Sequence, residues 1–205
     1  MFLHPSGGSC FWYWFGKYKF FLRYGVFEGN GIDYIILIPN GSVQTNVTFP
    51  KYKSVEIRRI ENYKSDLANF YSQINSKDDL HDYFIIMNVG VRGPFLPAEN
   101  SRWHHKLIRS MGSNLMLGST ISCYPRPHLQ THFLMINGYG VEITKKIWKK
   151  CFMTKVDHDS VIEMCDIGLS EFISKWDIHL HIWKDFLQKR ICLRFLEGGK
   201  ISMVL

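Results

Sequence analysis

Residues able to do chemistry recur just past apolar runs. Asn40 follows DYIILIP, Asn62 and Asp66 follow SVEIRRI, Asn88 and Arg92 follow DYFIIM, and Ser119, Thr120 and Ser122 stand in GSTIS. His128 and Gln130 belong to PRPHLQ, just before THFLMIN. Carboxylates accept hydrogen bonds, guanidinium groups donate in a planar fork, and imidazoles and amides do both, so such a set suits a polar ligand. Taken singly, each Asn or Asp is an ordinary turn former or cap, and Asn62 would cap the helix after it. Their repetition at strand ends favours a ligand crevice. In open α/β sheets, loops leaving the carboxyl ends of strands form a cleft that neither helix layer covers.

Several other chemistries are excluded by pattern. PNGS, and not a G-x-G-x-x-G turn, follows the first apolar run, and neither G-x-x-x-x-G-K-[ST] nor G-x-S-x-G occurs. WHH at 103–105 and HLHIW at 179–183 have histidines but no Cys or carboxylate at a matching ligand spacing.

The elements that must hold these residues follow from apolar runs and breakers. KYKFFLRYGV predicts a short helix over 17–26 stopped at Gly25, and DYIILIPNG a first strand. SVEIRRI at 54–60 predicts a second strand, and ENYKSDLANFYSQI at 61–74 an amphipathic helix. DYFIIMN, an unbroken apolar run ended by Gly and Pro, predicts a central third strand buried on both faces. NLMLGSTISC predicts a fourth strand, THFLMIN at 131–137 a fifth, then a basic helix at 141–150 and further helix over 159–176. The fold expected is α/β: a single Rossmann-type domain over 1–205, with a mostly parallel central sheet flanked by helices. Residues 1–16 read as an aromatic N-terminal extension. EGGKISMVL, at 197–205, reads as a tail or short edge strand.

A chain of 205 residues with 15% aromatic and 21% charged residues suits one packed domain and argues against disorder. The formal charge of +7 leaves room for anionic partners, but its clusters, RR at 58–59 and KKIWKK at 145–150, read as solvated faces. Five cysteines, odd in number and without a C-x-x-C pair, indicate reduced thiols and a cytoplasmic setting. Two sequons, Asn40-Gly41-Ser42 and Asn46-Val47-Thr48, keep the secretory lumen as the alternative. The aromatic opening is too interrupted by Lys, Arg and Gly to span a bilayer.

The block order KYKFFLRYGV, DYIILIPNG, VEIRRIENYKSDLANF, DYFIIMNVGVRGPFLP, LMLGSTISC, PHLQTHFLMIN and CDIGLS is similar to a group of GT-A-like glycosyltransferases. These occur among capsular-polysaccharide and rhamnan-synthesis proteins and in viral relatives. The likeness covers roughly residues 17–175, and V-R-G-P-F-L-P, G-S-T-I-S-C and P-H-L-Q are its specific blocks. It implies a hexosyltransferase-like enzyme that binds a nucleotide sugar, a UDP- or GDP-sugar, and transfers the sugar to a glycan acceptor hydroxyl. Pro39 and the PNG turn would line the base, and Asn62 and Asp66 would bind the nucleoside part. Arg92 would pair with donor phosphate or shape its own loop, and Trp103 would stack on an acceptor sugar or fill the core. Thr120 would line the donor crevice. His128 and Gln130 would lie near the transferred sugar, with Asp166 as the base that deprotonates the acceptor.

The likeness breaks where GT-A enzymes carry D-x-D. That position here reads Asn88-Val89-Gly90, with no carboxylate, so Asn88 is at most a weak ligand for Mn²⁺ or Mg²⁺. The expectation is a metal-independent transferase in which Arg92 and Lys64 offset the leaving diphosphate. Its alternatives are an inactive GT-A-like binding protein and a basic nucleic-acid-binding protein that stacks bases on FWYWF. No RNP or helix-turn-helix pattern supports a nucleic-acid partner, and none is expected.

Overall fold

A computed structural model describes residues 19–40, 47–61, 66–74, 81–88, 90–91, 93–94, 102–153, 158–175, 180–182 and 201–203. They fall into two compact units, Met1–Asn62 with Met87–Lys106, and Tyr63–Ile86 with Leu107–Leu205. Asn62, Arg92 and the aromatic extension at 1–16 lie outside the described residues.

In the first unit, helix α1 covers residues 19–24, strand β1 is Tyr34–Pro39 and strand β2 is Val55–Ile60. The strands form a two-stranded parallel sheet, in register from Tyr34 opposite Val55 to Pro39 opposite Ile60. Pro39 has no N–H to offer, and the next bond of the ladder comes from Asn40 N–H to Ile60 O at 2.8 Å. A buried polar knot fixes the start of β1. The Tyr34 hydroxyl accepts from Asn30 Nδ2 at 2.6 Å and donates to Gly25 O at 3.1 Å, and that carbonyl also accepts from Trp103 Nε1 at 2.8 Å. Burial pushes the Tyr34 hydroxyl above its ordinary pKa, with the bonds from Asn30 and Phe27 partly opposing the shift. At Gly25 a Cβ would meet the Phe21 ring at 2.5 Å, so this close approach of helix and turn requires glycine.

In the second unit, strands β3 (Tyr83–Met87), β4 (Met116–Gly118), β7 (Phe133–Asn137), β8 (Leu180–Ile182) and β9 (Ile201–Met203) form a sheet in the order β3-β7-β4-β8-β9. β4 runs antiparallel to β7 and parallel to β8, which is parallel to β9. A short antiparallel pair, β5 (Ile121–Ser122) and β6 (His128–Leu129), stands apart. Helices α2 (Asp66–Tyr71), α3 (His104–Met111), α4 (Gly138–Met153), α5 (His158–Val161) and α6 (Gly168–Lys175) complete the described elements. A π-helical turn, Ile162–Ile167, joins α5 to α6. The core of this unit gathers Leu67 of α2, Leu134 and Ile136 of β7, Trp148 of α4 and Leu169 and Ile173 of α6, with Phe70 edge-on to Trp148 at 5.4 Å.

The expected mostly parallel central sheet is therefore wrong. The first two strands form a sheet of their own, and the larger sheet is mixed. β3 is not central: it lies at the edge, with Tyr83, Phe84 and Ile85 half-buried. A short apolar run has no periodicity by which two-faced burial can be told from an edge strand covered on one side. The expected fourth strand divides into β4 and β5, which return antiparallel through β6 and β7. The connection at 123–127 is far shorter than the dozen or so residues that a parallel crossover needs. Helix α3 falls on RWHHKLIRSM, which the sequence reading assigned to no element, while β9 makes the C-terminal tail the edge strand that reading offered as one choice.

The thiols also depart from expectation. Cys123 and Cys165 are both disulfide-bonded, and Cys165 is fully buried. β6 packs on the π turn that carries Cys165, and Arg126 pairs with Glu163 at 3.6 Å. Their wide spacing in the sequence carried no sign of either bond.

Candidate functional site

The strongest polar constellation grows out of a mismatch between two ladders in the second unit. Gly118 is opposite Leu134 in β4–β7, whereas Ile121 is opposite Leu129 in β5–β6. Three residue steps on one strand thus face five on the other, which makes the 130–133 side bulge. Bulges re-aim side chains and are common beside active sites. Gln130 N–H still bonds Thr120 O at 3.0 Å, which fixes the pairing on the far side of the bulge.

Four side chains meet there. Thr120 Oγ1 donates to Gln130 Oε1 at 2.8 Å. With that single proton committed, the 3.1 Å contact between Thr120 Oγ1 and His132 Nε2 is a donation from a protonated Nε2, shared with Ser119 Oγ at 3.3 Å. All four residues are half-buried. Such a cluster presents hydroxyl, amide and imidazole groups already oriented by one another, the arrangement that binds a polyhydroxylated ligand without first paying to order each side chain.

His128 stands two residues before Gln130 on β6 and is buried. Its Nδ1 lies 2.8 Å from Arg126 O, and because a carbonyl can only accept, Nδ1 carries the proton. Nε2 is then the nitrogen that can take up a proton, an imidazole held in one tautomer by a backbone bond. The strand is pinned from the other side by Leu129 N–H donating to Ser170 Oγ at 2.9 Å. Arg126 pairs with Glu171 at 3.3 Å as well as with Glu163, tying the same stretch to α6 and the π turn. Asp166 is half-buried in that turn, and π turns interrupting helices recur at functional sites.

The structure therefore brings Thr120 and Gln130 into direct contact, and sets His128 and Asp166 on elements that pack together. Asp66 opens α2 in the same unit. Pro39, Asn88 and Trp103 belong to the other unit. Pro39 is buried as the last residue of β1. Trp103 is core: it is buried, edge-on to Phe21 at 6.0 Å, with its indole N–H spent on Gly25, so the core reading of this residue holds and it has no open face for an acceptor sugar. Asn88 Oδ1 accepts from Gly90 N–H at 2.8 Å, which accounts for its place after an apolar strand: its side chain shapes the turn. That engagement, with no acidic neighbour at the position of a D-x-D, does not fit a divalent cation, and among the described residues no group of three His, Cys, Asp or Glu could hold one.

His132 and Ser170 were missed by sequence reasoning. His132 lies in THFLMIN, and Ser170 ends the CDIGLS block; neither was given a role of its own. Only the bulge and the docking of α6 on β6 give them partners. No helix among the described residues is long and apolar enough to cross a membrane. No family model, curated protein or solved structure matches the chain.

Proposed function

We propose that the chain is a glycosyltransferase-like enzyme that takes a sugar from a UDP- or GDP-sugar to a glycan hydroxyl, with its sugar-handling centre on the β4–β7 bulge. The observation that carries this reading is the convergence of Ser119, Thr120, Gln130 and His132 beside a buried His128 held in one tautomer. The block resemblance points the same way, since P-H-L-Q and G-S-T-I-S-C supply Ser119, Thr120, His128 and Gln130.

The chemistry is a displacement at the anomeric carbon. Thr120 and Gln130 orient sugar hydroxyls, and the acceptor oxygen gives up its proton as it attacks. The candidate proton acceptors on the packed β6 and π-turn elements are His128 Nε2 and the Asp166 carboxylate. A positioned base contributes about 10²–10⁴-fold. Arg92, outside the described residues, is the proposed partner of the donor diphosphate; Arg126 is occupied by its two glutamates.

The test is release of nucleoside diphosphate from a panel of UDP- and GDP-sugars with a glycan acceptor. His128→Ala and Asp166→Asn are measured beside the unmodified chain. Loss of about 10²-fold or more in one variant, with donor binding retained, identifies the base. Turnover by neither the unmodified chain nor any variant contradicts the proposal and leaves a binding protein.

A further inference from the structure

The sequons left over from the transfer reading gain meaning from the cysteines. Asn40-Gly41-Ser42 and Asn46-Val47-Thr48 matter only in a chain that enters the secretory lumen. Protein disulfides persist mainly in such oxidising compartments, because cytosolic reductants keep thiols reduced. Cys165 is disulfide-bonded and fully buried in the core of its unit, together with Leu129 and Leu169.

We infer that Asn40 is an N-glycan acceptor and that the chain matures in an oxidising, glycosylating lumen, reversing the cytoplasmic setting expected from cysteine spacing. Asn40 is exposed and follows directly on β1. Its backbone N–H is the last bond of the β1–β2 ladder, to Ile60 O at 2.8 Å, while its carboxamide is bonded to no described residue. The acceptor amide is therefore presented at the surface at a defined strand end, and a glycan there displaces no internal contact of the described residues.

In the modification the Asn40 Nδ2 attacks the anomeric carbon of an oligosaccharide carried on a lipid diphosphate. The Nδ2–C1 bond forms, the C1–O bond to the diphosphate breaks, and the electron pair leaves with the lipid diphosphate while the amide proton passes to a base of the transferring enzyme. In the bridge, two thiols lose two electrons and two protons to a disulfide-exchange protein, which leaves as a dithiol.

The test translates the full chain behind a cleavable leader into microsomes and maps glycans by peptide-N-glycosidase release in heavy-oxygen water. Non-reducing peptide mass spectrometry reads the bridge. The expected result is occupancy at Asn40 that Ser42→Ala abolishes although Asn40 itself is kept, together with Cys123 and Cys165 recovered in disulfide-linked peptides. Thr48→Ala separates any occupancy at Asn46. An unmodified Asn40 in folded chain, or free thiols at Cys123 and Cys165, overturns the inference. Neither result depends on transferase activity, so the two proposals fail separately.

Discussion

Replacing Gln130 with Ala removes the acceptor of the Thr120 proton and frees that hydroxyl to turn toward His132. Thr120→Val instead strips both Gln130 and His132 of a partner, at a cost of about 1 kcal/mol in stability, and in a urea titration it is the more damaging of the two. Both weaken sugar binding in the proposed function, because each unlocks the oriented cluster. His104 supplies the pH dependence. It is buried, its Nδ1 has no hydrogen-bond partner among the described residues, and burial, His105 and Arg102 together hold its pKa below the ordinary histidine value. The unfolded chain therefore binds more protons between the two pKa values. The stability contribution is fully present above about pH 6.5 and is lost as the pH falls from there through the folded value. Denaturant titrations from pH 7.5 down to pH 5 should show this fall, and His104→Leu should flatten it. Residues of this kind were half legible. Thr120, Gln130 and His128 stood out because polar groups beside strands are few, whereas His132 owes its role to a bulge that no local pattern marks.

At the scale of elements, the junction of β7 and α4 is compact enough to test. Asn137 ends the strand and caps the helix, its Oδ1 accepting from Gly140 N–H at 2.7 Å. Asn137→Ala should cost about 1 kcal/mol, read as a shift of the urea midpoint without change of slope. A Cβ on Gly140 would meet Leu115 O at 2.8 Å, so Gly140→Ala should be worse despite the better helix propensity of alanine. The disulfide is the stronger staple. Removing the Cys123 bridge by Cys123→Ser should cost about 2–4 kcal/mol under oxidising conditions and little in reductant. Strands and the longer helices were readable from apolar runs, as β1, β2, β7 and α4 attest, because their lengths and breakers are local properties. Strand direction was not. It depends on the short return at 123–127 and on which sheet each strand joins, whereas the parallel order was expected from the succession of strands and helices alone.

For the whole molecule, two separately cored units carry different parts of the expected site. The unit built on the mixed sheet holds the Ser119–Thr120–Gln130–His132 cluster, His128 and Asp166, and the unit built on β1 and β2 holds Pro39 and Asn88. Asn88 is spent on its turn, and cationic faces such as Lys146 and Lys149 on α4 are exposed opposite the buried Val141, Thr144, Ile147 and Trp148, as the KKIWKK pattern foretold. What was legible at this scale was the existence of a core; what was not was the division of the sheets, since composition and periodicity carry no record of which strands pair. The central claim is that the bulge of the second unit recognises a nucleotide sugar. Calorimetric titration with UDP, GDP and their sugars, each with and without Mn²⁺, tests it most directly. The account predicts saturable heat with one nucleotide sugar, stronger than with the bare nucleotide by a margin that Gln130→Ala and Thr120→Val remove. No heat with any of them, or binding that those substitutions leave unchanged, would contradict it.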